Sequence, residues 1–296
     1  MSTSLYIVAT PIGNLGDMSP RAVEILQSVD VVLAEDTRVS AKLLNHFDIH
    51  TKLERCDDNV IVSKIPSLIE RMQSGEVFAF VSDAGTPGIS DPGTALVDAA
   101  RNQNIDIEAM PGPSALIQAL VLSGLGIDNF YFAGFAPRKK QAQIEYFEAL
   151  RYYAGALVMY ESPYRVSDTL ANLAQVFPDR IGVFARELTK LHEEVIRDTL
   201  PQLALTISER TQIKGEIVLV IDAPRREDNS LKSVQECYSD IKQAAGINAL
   251  TKEELVTLKL KEGIKKSEIA KELVRNFHVS RDEAYNLILI ISHDLL

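Results

Sequence analysis

A chain of 296 residues is long enough for two or more domains, and its 46% hydrophobic and 24% charged content is typical of globular proteins. The formal net charge of -10 disfavours nucleic-acid binding that rests on overall electrostatic attraction alone. Ten basic and ten acidic residues lie from Ser230 onward, so the preceding part carries the whole acidic excess. A nucleic-acid partner would therefore have to contact local patches. No apolar run approaches the roughly 18 residues of a membrane-spanning helix, so we predict no membrane association.

In the first half of the chain, short apolar segments alternate with helical patterns. Buried strands are predicted at residues 5–9, 31–34, 77–81 and 105–109. Each strand ends in polar or Gly/Pro-containing residues, and a helical pattern follows. This alternation predicts a mainly parallel α/β sheet. Because the carboxyl ends of parallel strands lie at one edge of a sheet, these loops are expected to form one ligand-binding crevice.

The longest of these loops, SDAGTPGISDPG at residues 82–93, follows the strand predicted at residues 77–81. Its glycines and prolines extend neither a strand nor a helix. It is longer than most strand-to-helix connections, which is typical of functional loops. The alternative is an ordinary surface turn.

A second α/β series follows the helix stop predicted at residues 123–126. Its strands are predicted at residues 130–135, 156–160, 181–185 and 215–221. Beyond a polar linker at residues 223–230 the pattern is helical only. We therefore predict an N-terminal α/β domain at 1–125, a second α/β domain at 126–225 and a C-terminal helical domain at 226–296.

The tail is predicted to hold two short helices around a turn, and Ser280 with Glu283 fits a capping box that opens the second helix. These helices predict either a small bundle or a helix-turn-helix-like nucleic-acid module. Neither is favoured, because the lysines of the tail are interleaved with glutamates. Arg138, Lys139 and Lys140 likewise predict either an RNA phosphate contact or a solvated helix start.

The loops and cysteines limit the chemistry. Neither GxxxxGK[ST] nor GxGxxG is present, which disfavours nucleotide-phosphate and dinucleotide sites. Backbone groups, hydroxyls and carboxylates against apolar walls would suit an adenosine-bearing cofactor without phosphates. Cys56 and Cys237 lack CxxC spacing, which favours a reducing, cytoplasmic setting. The histidines show no metal-ligand spacing with cysteine, so we predict no metal site.

Six motifs occur in order between residues 10 and 190: TPIGNL, EDTR, SDAGTPGISDPG, PGPSA, YESP and RELTK. Over about residues 5–221 the chain closely resembles the ribosomal RNA small subunit methyltransferase I family of the tetrapyrrole methylase superfamily. The resemblance implies two α/β domains of tetrapyrrole-methylase type with the cofactor cleft between them, usually in a homodimer. It implies transfer of a methyl group from S-adenosylmethionine to the ribose 2′-hydroxyl of a cytidine in small-subunit (16S) rRNA.

Carried over motif by motif, the resemblance assigns the cofactor contacts to residues from several strand ends. They are Pro11, Gly13, Asp83, Gly85, Thr86, Ile89, Ser114, Ala115, Tyr160, Arg186 and Gly215.

Methyl transfer from a sulfonium is a direct displacement, which requires alignment of the reacting atoms. A ribose hydroxyl is a poor nucleophile, so a base or a nearby cation should assist its deprotonation. The candidates at strand ends are Glu35, Asp36, Asp83, Glu161, Glu187 and Lys190. We favour Glu161 and Arg186 with Lys190, although a capping or ion-paired role is the alternative for each.

Two other functions stay open. One is a small-molecule methylase acting on a tetrapyrrole, and the other is a non-catalytic RNA-binding assembly protein. The loop at residues 10–15 lacks a GxGxGD pattern and the tail is helical, which together favour the rRNA enzyme over the tetrapyrrole enzyme.

Overall fold

A computed structural model describes residues 3–91, 93–224, 252–261, 264–277, 279 and 281–294. Ser280, Cys237 and most of the predicted linker lie outside the described residues. The chain divides into two compact units, Met1–Ala136 with Gly155–Arg225 and Pro137–Ala154 with Arg226–Leu296. Both β-sheets described below belong to the first unit. The division of the chain at residues 125 and 225 stays a prediction.

The first sheet is built from the N-terminal part of the chain. Its strands are β1 (Leu5–Val8), β2 (Val31–Ala34), β3 (Lys52–Arg55), β4 (Phe78–Val81) and β5 (Ile107–Met110). They are parallel throughout, in the order β3-β2-β4-β1-β5. The helices of this part are α1 (Pro20–Ser28), α2 (Thr37–His46), α3 (Ile61–Gln73), α4 (Gly93–Asn102) and α5 (Ala115–Ser123). The predicted parallel α/β sheet is confirmed.

The central strand β4 is buried on both faces, as its apolar sequence predicts. Phe78 and Phe80 pack in one cluster with Leu5 and Ile7. Their neighbours Ala79 and Val81 pack in a second cluster with residues such as Val8 and Val32. This alternation fixes the register of β4, because a slip of one residue would exchange the two faces. The position of Val81, where the following loop begins, is therefore fixed by the packing of β4.

The second sheet is mixed. Its strands are β6 (Phe130–Phe135), β7 (Ala156–Glu161), β8 (Ile181–Arg186), β9 (Glu194–Thr199) and β10 (Ile217–Ile221), in the order β6-β7-β10-β8-β9. Only β6 and β7 pair in parallel; the other pairs are antiparallel. The helices that follow β7 and β9 are α7 (Val166–Val176) and α8 (Leu200–Ser208).

Helix α5 and the loop after β1 both pack on the second sheet. Ile12 joins Leu116 and Leu120 of α5 in one buried cluster with Val158 and Val218 of the second sheet. The apolar contact therefore links the last helix of the first α/β series to the strands of the second. It also brings strand ends of both sheets to one place.

The second unit is helical. It contains α6 (Lys140–Ala149), α9 (Lys252–Lys261), α10 (Lys266–Phe277) and α11 (Arg281–Asp294). The last three share a core that includes Leu255, Ile269, Leu273, Ala284 and Ile288. The predicted helical C-terminal region is confirmed. In the described part of the chain, no helix has the length and apolarity required to cross a membrane.

Candidate functional site

Two loops of the first sheet are joined by a short antiparallel bridge. The amide of Thr10 donates to the carbonyl of Gly85 at 2.9 Å, and the amide of Gly85 donates to the carbonyl of Thr10 at 3.0 Å. The buried Thr10 hydroxyl also donates to the carbonyl of Ser82 at 3.3 Å. Gly85 has φ +81°, a conformation that L side chains rarely adopt. The loops after β1 and β4 therefore hold each other in place.

The distal half of the β4 loop is fixed by Asp91. Its Oδ1 accepts hydrogen bonds from the amides of Gly88 at 2.7 Å and Gly93 at 2.9 Å. The Thr94 hydroxyl donates to the carbonyl of Gly88 at 3.3 Å. Gly88 and Ser90 both have positive φ, 91° and 67°. Although the loop has no regular secondary structure, its own side chains define its path.

A third loop, which follows β5, is tied to the same place. The Thr86 hydroxyl donates to the carbonyl of Pro113 at 3.0 Å. A Cβ atom on Gly112 would lie 2.7 Å from the Cβ of Ala9, so the β5 loop approaches the end of β1 too closely for a side chain there. The loops after β1, β4 and β5 thus form one wall.

Strand ends of the second sheet form the opposite wall of a cavity. The cavity is lined by Ile12, Ala84, Gly85, Thr86, Ile89, Ser114, Ala115, Phe135, Tyr160, Glu161, Glu216, Ile217 and Val218. Most of these residues are apolar, and the polar groups among them are few. The ring of Tyr160 packs edge-on against Phe132 and Phe135, with centroids 5.0 and 5.8 Å away. Such a lining suits a small organic ligand.

The cavity brings together six of the residues that the family resemblance assigns to the cofactor. They are Gly85, Thr86, Ile89, Ser114, Ala115 and Tyr160. Pro11 does not line it, although its chain neighbour Ile12 does. Asp83 lines a neighbouring acidic pocket instead.

Gly13 and Gly215 stand against two charged side chains. A Cβ atom on Gly13 would overlap the Cγ of Lys190, and one on Gly215 would overlap the carboxyl group of Glu187. Gly215 has φ +93°, which also favours glycine. The Thr189 hydroxyl accepts a hydrogen bond from the amide of Asn14 at 3.1 Å, so the β1 loop contacts the loop after β8 directly. Both glycines make room for the Lys190 and Glu187 side chains.

Lys190 is held between two carboxylates beside the cavity. Its Nζ donates to Glu187 Oε1 at 2.9 Å and to Glu216 Oε2 at 3.1 Å. Burial acts to lower the pKa of Lys190, but the hydrogen bonds and charges of Glu187 and Glu216 outweigh it and raise the pKa above its ordinary value. Lys190 is therefore a fixed cation, and its contact with Glu216 connects it to the cavity lining.

Arg186 belongs to a neighbouring ion-pair network. Its Nε donates to Glu194 Oε2 at 3.1 Å, and its Nη1 donates to the carbonyl of Lys214 at 3.2 Å. Arg210 binds the same Glu194 through two nitrogens, at 2.8 and 2.6 Å. The guanidinium of Arg186 does not line the cavity. It fixes the segment that leads into β10.

Glu161 lines the cavity, but both of its carboxylate oxygens are engaged. Oε1 accepts from the amide of Ser162 at 2.7 Å, and Oε2 accepts from the hydroxyl of Thr169 at 2.7 Å. Arg165 Nη2 lies 3.5 Å from the same Oε2 and donates to the carbonyl of Ala136 at 2.8 Å. The carboxylate is completely buried. These contacts anchor the β7–α7 connection.

A second, polar pocket lies at the carboxyl ends of β2, β3 and β4. It is lined by Glu35, Asp36, Thr37, Arg38, Arg55, Asp57, Asp58, Asn59 and Asp83. Burial raises the pKa of Glu35 above its ordinary value, and the charges of Asp83 and Asp91 add to the effect. Burial also raises the pKa of Asp83, although its Oδ1 accepts from the amide of Asp36 at 3.0 Å. Among the described residues, no group of His, Cys, Asp or Glu is arranged to hold a metal ion.

Sequence reasoning missed several residues of the cavity. They are Ile12, Ala84, Phe135, Glu216, Ile217 and Val218. The pairing of neighbouring strands could have indicated some of them, because Phe135 ends β6, Glu216 directly precedes β10, and both strands pair with β7. Ile12 carries no such signal, since it is an apolar residue inside a polar loop.

Comparison with known proteins places this chain in a family. Residues 4–204 match the model of the Tetrapyrrole (Corrin/Porphyrin) Methylases. A protein of Streptococcus pyogenes serotype M3 named ribosomal RNA small subunit methyltransferase I is 40% identical over 99% of this chain and 96% of its own length. Proteins of the same name from Synechocystis and Hydrogenobaculum are 40% and 46% identical over 98% and 73% of this chain, and over 99% and 94% of their own lengths. The chain belongs to the ribosomal RNA small subunit methyltransferase I family.

Membership of this family identifies the chain as a methyltransferase. Solved structures confirm the fold class. The methyltransferase CobJ superposes with a TM-score of 0.57 at 17% identity, over 76% of this chain and 97% of its own. A uroporphyrin-III C-methyl transferase from Thermus thermophilus, complexed with S-adenyl homocysteine, superposes with a TM-score of 0.51 at 17% identity, over 74% and 96% of the two chains.

The Glu194 network generates a prediction about pH. Hydrogen bonds from Arg210 lower the pKa of Glu194 to about 2, against burial, which acts in the opposite direction. A carboxylate with a depressed folded-state pKa stabilises the protein above its unfolded pKa, and this contribution is lost as the pH falls towards the folded value. Glu194→Gln should therefore lower the melting temperature at pH 7, and the difference from wild type should shrink between about pH 4.5 and 2.

Thermal unfolding of both proteins across that pH range measures the effect. Asp168→Asn, an exposed carboxylate in the first turn of α7, serves as the control. A melting-temperature difference for Glu194→Gln that is the same at pH 7 and pH 2.5 would contradict the assignment.

Proposed function

We propose that the chain transfers a methyl group from S-adenosylmethionine to the ribose 2′-hydroxyl of a cytidine in small-subunit rRNA. The observation that carries the proposal is 40% identity over nearly the full length to relatives named for small-subunit rRNA methylation. We further propose that the protein acts as a homodimer in the cytoplasm. Its partner would be the rRNA or the ribosomal subunit.

The cavity fits the proposed methyl donor. Apolar side chains such as Ile12 and Ile89 would contact an adenine, while backbone groups of Ala84 and Thr86 and the Ser114 hydroxyl would offer polar contacts. Gly85 leaves space there because it has no side chain. S-adenosylmethionine supplies a methyl group on a sulfonium, which is activated without a metal ion. The predicted cofactor residues that do not line the cavity would act through the loops that shape it. They are Pro11, Gly13, Asp83, Arg186 and Gly215.

The charged residues near the cavity divide into two roles. Lys190 is a fixed cation beside the lining residue Glu216, so it would stabilise the negative charge that develops on the ribose oxygen. Glu161 and Arg186 hold the connections that follow β7 and precede β10. They would therefore contribute to catalysis by keeping the walls of the cavity in position.

Methyl transfer tests the proposal. Purified protein is incubated with S-adenosylmethionine labelled on its methyl group and with small-subunit rRNA, small ribosomal subunits or uroporphyrinogen III. The product RNA is then mapped by nuclease digestion and mass spectrometry. We expect label on the ribose of one cytidine. Label on the tetrapyrrole alone would favour the second candidate function, and binding of RNA without transfer would favour an assembly protein.

Gly85 gives a direct test of the cofactor site. Gly85→Val should abolish S-adenosylmethionine binding in titration calorimetry, because the added Cβ would lie 3.4 Å from Cγ2 of the lining residue Ile12 and its two methyl groups would crowd that side chain. The matched control is Gly75→Val. Gly75 has a similar φ of +98°, but no atom lies within 4 Å of the added Cβ. It therefore reproduces the backbone strain without entering the cavity. Undiminished binding by a folded Gly85→Val protein would show that the site is misplaced.

Lys190 gives a test of the proposed catalytic role. Lys190→Ala should lower kcat by roughly 100-fold, the usual effect of removing one group that stabilises a developing oxyanion. Cofactor affinity should change little, because Lys190 does not line the cavity itself. Lys42→Ala, on the exposed surface of α2, is the control. Full methyl transfer by the Lys190→Ala protein would remove Lys190 from the mechanism.

A further inference from the structure

Tyr164 presents an aromatic ring to solvent. Its side chain is 94% exposed, although it follows a strand that ends in the cavity lining. Aromatic side chains usually bury most of their surface, so an almost completely exposed ring beside the cavity is available for contact with another molecule.

The loop that carries Tyr164 is fixed. The amides of Arg165 and Val166 both donate to the carbonyl of Ser162 at 3.1 Å. The buried carboxylate of Glu161 in turn accepts from the amide of Ser162 at 2.7 Å. The backbone on either side of Tyr164 is therefore anchored before any ligand binds. An anchored backbone limits the conformational freedom that this loop loses on binding.

A groove runs beside this ring. It is lined by Pro163, Tyr164, Thr211, Gln212, Ile213, Lys214 and Gly215. Glu161 and Ile217 are opposite each other in the antiparallel pair of β7 and β10, and both line the cavity. The chain segments that continue from these two residues form the groove. The groove is therefore next to the cavity.

The chemistry of the groove suits a single-stranded nucleic acid. Nucleobases stack on exposed aromatic rings, and such stacking tolerates any base. Lys214 and Gln212 are exposed at the same groove and offer a cation and an amide for a phosphate and a base edge. Arg186 donates to the carbonyl of Lys214 and so fixes this side as well. A local patch of this kind is what an acidic chain needs to contact RNA.

We propose that Tyr164 stacks on an unpaired nucleobase that flanks the methylated cytidine, with the RNA backbone lying along the groove at residues 211–215. The inference rests on the proposed function, since it names the part of that site that holds the RNA. It assigns Tyr164 to substrate binding and leaves cofactor binding to the neighbouring cavity.

The experiment measures RNA binding without methyl transfer. A fluorescein-labelled single-stranded oligoribonucleotide of roughly twelve nucleotides, within the usual site size of single-strand binders, is titrated with protein in the presence of S-adenosylhomocysteine. Its sequence surrounds the cytidine that the methyl-transfer assay identifies in small-subunit rRNA. The variants are Tyr164→Ala and Tyr164→Phe, with Tyr152→Ala as an exposed tyrosine that lines none of the described cavities.

Tyr164→Ala should raise the Kd for the oligonucleotide by about tenfold, the loss expected for one base stacked on an aromatic ring. Tyr164→Phe and Tyr152→Ala should bind as wild type does, because the ring is kept in the first and the site is untouched in the second. Calorimetry with S-adenosylhomocysteine should give the same affinity for all four proteins.

Three results would overturn the inference. They are an unchanged Kd for Tyr164→Ala, an equal loss for Tyr164→Phe, and an accompanying loss of S-adenosylhomocysteine binding. Methyl transfer to rRNA by the wild-type protein is measured separately. Normal transfer with no effect of Tyr164→Ala on RNA binding would overturn the stacking role alone. Absence of any transfer to RNA would overturn the proposed function.

Discussion

The site depends on the two hydrogen bonds between the backbones of Thr10 and Gly85. They join the loop after β1 to the loop after β4, and the Thr86 hydroxyl extends the link to the loop after β5. The residue that makes this bridge has φ +81°, a conformation that glycine adopts without strain. The bridge also positions Ile12, which lies two residues after Thr10 and packs in the core cluster of the second sheet.

The central part of the fold could be predicted from the sequence because its strands are short, apolar and buried on both faces. Elements without that pattern were missed. β3 has the sequence KLER on one edge of its sheet, β9 has EVIRDT on an edge with alternating exposed residues, and α3 contains Pro66, which normally ends a helix. Tertiary contacts determine the secondary structure of these three elements, and the local sequence pattern does not predict those contacts.

The candidate site was predictable where a motif and a cavity wall coincide, as at Gly85, Thr86 and Tyr160. It was not predictable where residues contact other side chains and do not line the cavity themselves. Gly13 and Gly215 are glycines of the kind found in ligand-binding loops, but their lack of a Cβ atom makes room for Lys190 and Glu187. Sequence spacing cannot separate a glycine that faces a ligand from one that faces another side chain.

The proposed function requires that loops of the first sheet and strand ends of the second bind one S-adenosylmethionine. A crystal structure of the chain with S-adenosylhomocysteine tests it most directly. The ligand should lie in the cavity, in contact with residues 84–86, Ser114 and Tyr160, with its sulfur on the side nearer Glu216 and Lys190. A ligand bound in the acidic pocket around Glu35 and Asp83, or outside both pockets, would contradict this assignment of the cofactor site.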